Sequence, residues 1–302
     1  MSRILSVCLN PTFQRTVRLP RLDVGEVNRS DEARVDACGK GVNVSRVLRQ
    51  LGGDVRHLTH LGPGREEFLR LCDIDGIPVT WVESRSTIRT CITLLDTEVN
   101  STTEVIEPTE PVEDSCGTAL NAAFDDEVRQ SDWVILSGSK APGYPPNLFA
   151  EFCRIAREAG TRVVADYRGA ELAASLVHRP ALVKINLVEF AATFLPNLTV
   201  SEADDAAALP KVVEKLEQLS ADGMDIVLTR GAREVYCARG GAISTVAPPE
   251  VTPVNTIGSG DAVAAGMTFA LAGGADLVAA AAEGVRCGAR NAEVFRPGSL
   301  ID

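Results

Sequence analysis

The sequence predicts an α/β protein with a mostly parallel sheet, helices on both faces and a small β-sheet lid. From about residue 130 onward, short apolar runs alternate with amphipathic segments, which is the pattern of βαβ units. Two blocks of alternating polar and apolar residues, at about 12–36 and 87–110, interrupt the N-terminal half, and we expect them to pair as the lid. Aromatic residues are only 5% of the chain, a composition that suits helices packed on a sheet better than an all-β sandwich.

The predicted strands of the main sheet are short and apolar, and they comprise residues 4–9, 133–137, 162–166, 182–186 and 226–231. The predicted helices have apolar residues on one face, and they comprise residues 39–53, 147–160, about 212–223, 261–274 and 276–292. Strands that are buried on both faces and followed by helices indicate a parallel arrangement. The chain has no internal repeat and no obvious linker, so we expect a single domain over residues 1–302.

Charge and cysteine content limit the classes of function. The chain has 30 Lys+Arg against 41 Asp+Glu, a formal net charge of −11, which argues against nucleic-acid binding through clustered cations. It has no apolar run long enough for a transmembrane helix and no signal-peptide pattern at its start. The eight cysteines are scattered, without zinc spacing, so we expect a reduced, cytoplasmic protein with neither disulfides nor a structural metal.

The most informative segment is PVNTIGSGDAVAAG, residues 253–266. It enters a helix through Gly258, Ser259 and Gly260, with Asp261 in the first turn. Backbone N–H groups converge in such a turn and can bind an anion. Asp261 would lie beside that anion, where it could accept a proton from a hydroxyl group that attacks a phosphoryl group. An ordinary helix cap in a glycine-rich turn accounts for the same residues equally well.

Two other phosphate-binding loops are excluded by the sequence. Lys40 is followed by Gly41 rather than by a hydroxyl residue, so the G-x-x-x-x-G-K-[ST] loop is absent. No G-x-G-x-x-G follows the first predicted strand, which disfavours a nicotinamide-dependent oxidoreductase.

Two further segments carry weaker signals. In the first, Gly39 and Gly41 flank Lys40 at a helix start, which suits a sugar hydroxyl or a phosphate, or simply a capped helix with a solvated lysine. In the second, LVKINLVEF, Lys184, Asn186 and Glu189 follow one another at the carboxyl edge of the sheet, where open α/β folds bind ligands. Glu189 could hold magnesium through water molecules, or it could form a capping box with Asn186, and from these residues alone the cap is favoured.

The order of these motifs along the chain resembles that of the ribokinase-like sugar kinases, the PfkB family. The elements that carry the resemblance span essentially the whole chain, and they are Leu9-Asn10-Pro11, Gly25-Glu26-Val27-Asn28, Gly39-Lys40-Gly41-x-Asn43, Ser137-Gly138-Ser139, Lys184-x-Asn186-x-x-Glu189, Thr229-x-Gly231 and Gly258-Ser259-Gly260-Asp261. The second and third elements look most like the branch that contains 1-phosphofructokinase and tagatose-6-phosphate kinase.

The resemblance implies a Rossmann-like domain with a lid that often serves for dimerisation, so we expect a homodimer. It also implies transfer of the γ-phosphoryl group of ATP to a sugar or sugar-phosphate hydroxyl with Mg²⁺, and it leaves a requirement for K⁺ open. The resemblance implies that Asp261 is the base and that Gly258, Ser259 and Gly260 form the anion hole. It places Lys184, Asn186 and Glu189 near the ATP phosphates and a water-bound metal, and Thr229 and Gly231 near the nucleotide. The residues that it implies for the acceptor side are Gln14, Gly39, Lys40, Asn43, Arg89 and Ser139.

The departures from the family pattern lie mostly on the acceptor side. Gln14 stands where the family usually has an Asp, and a neutral amide loses charge-assisted hydrogen bonds of roughly 1.5–3 kcal/mol each. Cys91 stands where a phosphate-binding Arg is usual, and Arg89 lies two positions earlier on the same strand face. Ile106 and Thr109 replace a usual Asn and Gly, and Glu234 replaces the last Gly of a T-x-G-x-x-G turn. The catalytic motif is complete, which favours an enzyme with an altered acceptor.

Our leading hypothesis is therefore a kinase of a sugar phosphate, with a ketohexose phosphate as acceptor. Two alternatives stay open at this point. One is a kinase of an unphosphorylated sugar or a nucleoside, and the other is a non-catalytic sensor of sugar phosphates built on the same fold.

Overall fold

The computed structural model describes residues 2–200 and 205–302 of the chain. Within them, nine strands form the main sheet: β1 (Arg3–Cys8), β4 (Asp54–Leu61), β5 (Val79–Glu83), β8 (Trp133–Ser137), β9 (Arg162–Asp166), β10 (Leu182–Asn186), β11 (Asp225–Arg230), β12 (Arg233–Arg239) and β13 (Ala242–Val246). Four more strands form the lid: β2 (Thr12–Leu19), β3 (Glu32–Cys38), β6 (Arg89–Asp96) and β7 (Ser101–Ile106).

The main sheet has the strand order β13-β12-β11-β10-β9-β8-β1-β4-β5. Strands β5 to β11 in that order are parallel, whereas β12 and β13 are an antiparallel hairpin at one edge. The chain runs from β1 toward β4 on one side and later returns to β8 on the other. This reversal opens a crevice at the carboxyl ends of β1 and β8, which is where open α/β sheets bind ligands.

The helices cover both faces of this sheet. They are α1 (Lys40–Gln50), α2 (Arg65–Ile74), α3 (Asp114–Val128), α4 (Leu148–Ala159), α5 (Ala170–Ser175), α6 (Leu187–Phe194), α7 (Leu209–Ala221), α8 (Ser259–Ala272) and α9 (Leu277–Ala292). Adjacent residues of a strand point to opposite faces, so Leu5 joins the core under α3 to α7 while Ile4 joins the core under α1, α8 and α9. Burial on both faces explains why these strands are apolar throughout.

The lid is a four-stranded sheet with the order β3-β2-β6-β7. Its central strands β2 and β6 are parallel, and each pairs with its own hairpin partner in antiparallel fashion. The β2–β3 hairpin is inserted between β1 and α1, and the β6–β7 hairpin between β5 and α3. Both insertions leave the main domain at its carboxyl edge, so the lid lies over the crevice.

The structure confirms the predicted fold class with its small second sheet, and strands β8, β9 and β10 have the predicted bounds. Strand β3 of the lid extends to Cys38, two residues beyond the predicted segment 12–36. Helix α4 ends as predicted, at Gly160 in the left-handed conformation. Several elements were not predicted, namely β4, β5, α2, α3, α5 and the β12–β13 hairpin. Strand β4, for example, carries two histidines in DVRHLTHL, and these polar residues interrupt the apolar run although both are buried.

All eight cysteines are free and buried. Among the described residues, no helix combines the length and the apolar character that crossing a bilayer requires.

Candidate active site

A cavity of about 1030 Å³ lies between the carboxyl edge of the main sheet and the lid. Its size falls at the upper end of the range for small-molecule sites in proteins. Every residue that the sequence analysis assigned to a site, except Glu189, lines this cavity. Glu189 reaches its rim, because its Oε1 lies 3.8 Å from Nζ of Lys40. Residues from opposite ends of the chain therefore meet in one place.

The glycine turn begins helix α8 at one side of the cavity. Gly258 is the N-cap residue and has φ 82°, in the left-handed region that favours glycine. A Cβ atom added there would lie 2.4 Å from the backbone nitrogen of Gly298, so any other residue would have to push the C-terminal segment away. The first N–H groups of a helix have no intrahelical partners. This turn therefore directs free donors and the positive end of the helix dipole to the cavity.

Asp261, in the first turn of α8, is 5% exposed. Its Oδ2 accepts a hydrogen bond of 2.8 Å from Nδ2 of Asn43 on α1. Burial raises the pKa of the Asp261 carboxyl group to about 6, while Lys40, the Asn43 hydrogen bond and Lys184 oppose the rise. A carboxylate with that pKa is ionised at neutral pH and still basic enough to accept a proton, which matches the requirement for a general base.

Two lysines bring positive charge to this carboxylate. Nζ of Lys184, on β10, is buried and donates to Oδ1 of Asp166 at 3.1 Å. The same nitrogen would lie 3.0 Å from a Cβ atom on Gly260, so it is next to the glycine turn. Lys40 at the start of α1 is more exposed, and the negative charge of Asp166 is the main cause that raises its pKa above the ordinary lysine value. Both ammonium groups can therefore stabilise a phosphate in the cavity.

Asn186 and Glu189 form a complete capping box at the start of α6. The Glu189 amide donates to Oδ1 of Asn186 at 2.8 Å, and the Asn186 amide donates to Oε2 of Glu189 at 3.4 Å. The cap leaves Oε1 of Glu189 directed to Lys40. The two residues thus have the structural role that their spacing favoured, and one carboxylate oxygen remains for a ligand.

The fit of a magnesium ion can be tested on one buried atom. Oδ2 of Asp166 is buried without a hydrogen-bond partner, and carboxylate oxygens are the ligands that Mg²⁺ prefers. In the parts of the chain that the structure describes, no three His, Cys, Asp or Glu side chains group as a metal centre. The residues present therefore fit an ion that keeps most of its water and phosphate ligands, held by one or two carboxylates.

The acceptor side of the cavity is formed largely by the lid. Gln14 on β2 is 3% exposed, and its Nε2 donates to Oγ1 of Thr93 at 2.8 Å. Arg89, at the start of β6, lines the cavity, donates to the carbonyl oxygen of Glu107 and keeps a buried Nε without a partner. Ser139, after β8, accepts a hydrogen bond from Asn10 across the crevice.

The opposite end of the cavity is apolar and lies beyond the glycine turn. Thr229 and Gly231 line it at the end of β11. Small and aliphatic residues also line the cavity, among them Val235, Val251, Val285, Ala289 and Ala292, and Glu250 and Thr256 are polar members of the same lining. A flat, uncharged ring system such as a nucleobase suits walls of this kind.

Sequence reasoning missed two kinds of site residue. Asp166 ends the strand RVVAD, and its signal was a lone acidic residue at the carboxyl edge of a predicted strand. The apolar walls on α9 were assigned only to helix packing, because small residues at helical spacing are typical of close packing as well. Glu104 on β7 also lines the cavity, and burial raises the pKa of its carboxyl group.

Solved structures share this fold. Two structures of phosphofructokinase-2 from Escherichia coli, one in complex with fructose-6-phosphate and one with potassium, each match with a TM-score of 0.84 at 23% identity, covering 99% of this chain and 96% of that chain. This similarity shows that the protein has the fold of a ribokinase-like kinase.

Sequence comparison then gives the family. The 1-phosphofructokinase of Rhodobacter capsulatus is 31% identical over 278 residues, which are 91% of this chain and 85% of that protein. Residues 9–299 match the family described as pfkB family carbohydrate kinase, and the chain belongs to that family.

Proposed function

We propose that this protein transfers the γ-phosphoryl group of ATP to a hydroxyl group of a sugar phosphate, with a ketohexose phosphate as acceptor. The observation that carries the proposal is the position of Asp261. It is a buried carboxylate at the N-terminus of a helix, hydrogen-bonded to Asn43, in a cavity with two lysines. The relative named 1-phosphofructokinase, at 31% identity, supports the same class of acceptor.

The proposed chemistry follows from the two oxygens of this carboxylate. Oδ2 is engaged by Asn43, which leaves Oδ1 to accept the proton of the acceptor hydroxyl. As that proton leaves, the hydroxyl oxygen forms a bond to the γ-phosphorus, and the bond to the ADP oxygen breaks. The negative charge on the transferred group is stabilised by the N–H groups of the turn at Gly258 to Asp261 and by Lys184 and Lys40.

The residues for ATP and Mg²⁺ are assigned on the same basis. The apolar end of the cavity, with Thr229 and Gly231, holds the adenine ring of ATP. Lys184 neutralises charge on the ATP phosphates. The unpartnered oxygen of Asp166 and the Oε1 of Glu189 would hold hydrated Mg²⁺, with Asn186 as the cap that orients Glu189. When bound, the ion neutralises charge on the β- and γ-phosphates.

The acceptor is assigned to the lid side. Lys40 and Arg89 are the cations available to its phosphate, and Gln14, Asn43 and Ser139 are the polar groups available to its hydroxyls. The unpartnered Nε of Arg89 supports this assignment, because a buried guanidinium donor without a partner costs free energy that an acceptor phosphate would recover.

The proposal is tested by measuring ADP formation across a panel of sugars and sugar phosphates with MgATP. We expect turnover with a ketohexose phosphate, and at least a hundredfold lower kcat/KM with the matching free sugar. If turnover is equally good with free sugars or nucleosides, the acceptor is an unphosphorylated compound and not a sugar phosphate. Binding of a sugar phosphate without ADP formation would make the protein a sensor. Repeating the assay with K⁺ replaced by tetramethylammonium shows whether a monovalent cation is required.

We also propose that the protein is a homodimer joined through its lid. Several apolar lid side chains are left exposed in the single chain, among them Val24 at 94%, Val27 at 80% and Ile106 at 56%. Light scattering after gel filtration should give twice the mass of the chain, and Val24→Lys with Val27→Lys should lower the measured mass to that of one chain.

The eight buried thiols support a reducing compartment such as the cytoplasm.

A further inference from the structure

The feature that carries a further inference is Arg46, a cation buried in the middle of α1. It is 1% exposed, and it lies behind the site, not in the wall of the cavity. Its Nε donates to Oδ2 of Asp75 at 2.9 Å. Its two terminal nitrogens donate to the carbonyl oxygens of Ala37, Pro297 and Gly298 and to Oδ1 of Asn43, the last at 3.0 Å.

The contact between Arg46 and Asn43 decides how the Asn43 amide is oriented. A guanidinium group has donors only, so the atom of Asn43 that it touches must be the carbonyl oxygen. The thiol of Cys38 donates to the same oxygen at 3.1 Å. The amide nitrogen is thereby turned to the other side, where it donates to Asp261 at 2.8 Å. With the amide flipped, Asn43 would present an oxygen to the carboxylate and repel it.

We propose that Arg46 is a positioning residue for the reaction: it holds the Asn43 amide in the one orientation that donates a hydrogen bond to the base, Asp261. The inference rests on the proposed function, since it concerns the base of that reaction. A hydrogen bond donated to a carboxylate favours the ionised form, and the ionised form is the one that accepts a proton. Arg46 thus acts on catalysis without touching substrate.

Arg46 is itself held in a buried charge cluster that reaches the lid. Asp75 also accepts from Arg296 at 2.7 Å, and Arg296 pairs with Asp36 of strand β3 at 2.8 Å. Asp36 keeps a second partner in Arg34. Other groups also act on the charge of Asp261, and they lie on α1, β1, β3, β9 and β10: Lys40, Cys8, Cys38, Asp166 and Lys184. None of them fixes the Asn43 amide except the thiol of Cys38.

The test is Arg46→Met, with Arg296→Met as matched control. Asp75 keeps one arginine in either variant, so neither leaves it as an unpaired buried charge. We expect Arg46→Met to move the acid limb of kcat/KM upward by about one pH unit, because the base loses a charge-assisted hydrogen bond. With the Asp261 pKa starting at about 6, this shift lowers kcat/KM about twofold at pH 7 and about tenfold at pH 5. Activity should return toward the wild-type value above the shifted limb. We expect Arg296→Met to lower the Tm and leave the limb unchanged.

An acid limb that stays in place in folded Arg46→Met would overturn the inference, as would an equal shift in Arg296→Met. In the Asn43→Ala background, Arg46→Met should move the limb no further, since Arg46 acts through Asn43; an additional shift of one unit would contradict this.

If Arg46→Met does not fold, the wild-type enzyme supplies a second measurement. The side-chain amide signals of Asn43 in ¹⁵N NMR should titrate with the midpoint of the acid limb, and signals that do not titrate would contradict the proposal.

The two proposals fail in different ways. Absence of turnover in the wild-type protein would contradict the kinase function itself. Normal wild-type turnover with an unchanged pH profile in Arg46→Met would contradict only the positioning role.

Discussion

The ammonium nitrogen of Lys184 lies 3.1 Å from Oδ1 of Asp166, and both side chains are almost fully buried. They lie on neighbouring parallel strands: Asp166 is the last residue of β9, and Lys184 is in the middle of β10. An ion pair in this position costs desolvation of both charges, so it is weak evidence for stability. The pair lies at the carboxyl edge, beside the glycine turn, so we explain this desolvation cost by a role in the proposed function.

Removing one member of this pair should be costly. We expect Lys184→Met to lower the free energy of unfolding by about 3 kcal/mol, because the buried Asp166 loses its ion-pair partner. The double variant Lys184→Met with Asp166→Asn should recover at least part of that loss, as measured by urea denaturation. If the double variant is less stable than Lys184→Met, the pair does not carry the penalty that we assign to it.

The role of Asp261 is tested by Asp261→Asn, which keeps the shape and removes the basic oxygen. We expect kcat to fall by about 10²–10⁴, the usual contribution of a general base, with little change in the KM for ATP. Asp276→Asn is the control, since Asp276 caps the neighbouring helix α9 and Asn caps equally well. A kcat within threefold of the wild type in Asp261→Asn would remove Asp261 from the mechanism.

The raised pKa of Asp261, about 6, predicts two pH effects. The base is ionised only above that pH, so kcat/KM should fall below about pH 6. The folded state binds this proton more tightly than the unfolded state, so stability from this group declines as pH rises from about 4 to 6. Above pH 6 the ionised group costs up to about 3 kcal/mol. Asp261→Asn should therefore raise the Tm at pH 8 and leave it nearly unchanged at pH 4, which thermal unfolding at the two pH values can check.

Arg89 is expected to bind the acceptor and not the nucleotide. Arg89→Ala should raise the KM for the sugar phosphate by about 10–100-fold, because a charge-assisted contact to phosphate is lost. The KM for ATP should stay within twofold. Arg15→Ala is the control on the same lid sheet, since Arg15 lines a separate small cavity on its other side. An unchanged acceptor KM in Arg89→Ala and in Lys40→Ala would favour an unphosphorylated acceptor.

Gly258 should be more sensitive to substitution than its conformation alone requires. Gly274 has a similar φ, 92°, but a Cβ atom there meets nothing within 4 Å, whereas at Gly258 it lies 2.4 Å from Gly298. We expect Gly274→Ala to cost about 1 kcal/mol of stability, from backbone strain alone. Gly258→Ala should cost at least twice as much and reduce kcat, as measured by denaturation and turnover. Equal losses in the two variants would show that the turn has room to relax.

Local signals were enough to predict five of the nine described strands of the main sheet and the glycine turn at the start of α8. The bounds of β8, β9 and β10 follow from continuous apolar runs, and Asp261 follows from a glycine turn at a helix start. Both patterns are read within about ten residues. The assignment of one domain to residues 1–302 stays a prediction, which a single cooperative transition in calorimetry would support.

Contacts between distant residues were beyond sequence reasoning. Asn43 and Asp261 are 218 positions apart, and nothing in either segment identifies the other as its partner. Arg46 lies in the helix run VNVSRVLRQL, where an arginine is normally a solvated residue, and only the tertiary structure shows it buried against Asp75. Asp166 was missed for the same reason, because a single acid at a strand end has many ordinary roles.

The insertion of the lid as two separate hairpins has a consequence for the hydrolysis of ATP by water. Gln14 and Arg89, which we propose as acceptor contacts, belong to the lid, whereas Asp261 and the glycine turn belong to the main domain. A water molecule is too small to contact both parts at once, so it gains no binding energy from drawing them together. In the proposed function, a sugar phosphate would span both parts, so that its binding would bring the base and the acceptor contacts together. We therefore expect the division of one site between two sheets to discriminate against water without any residue dedicated to excluding it.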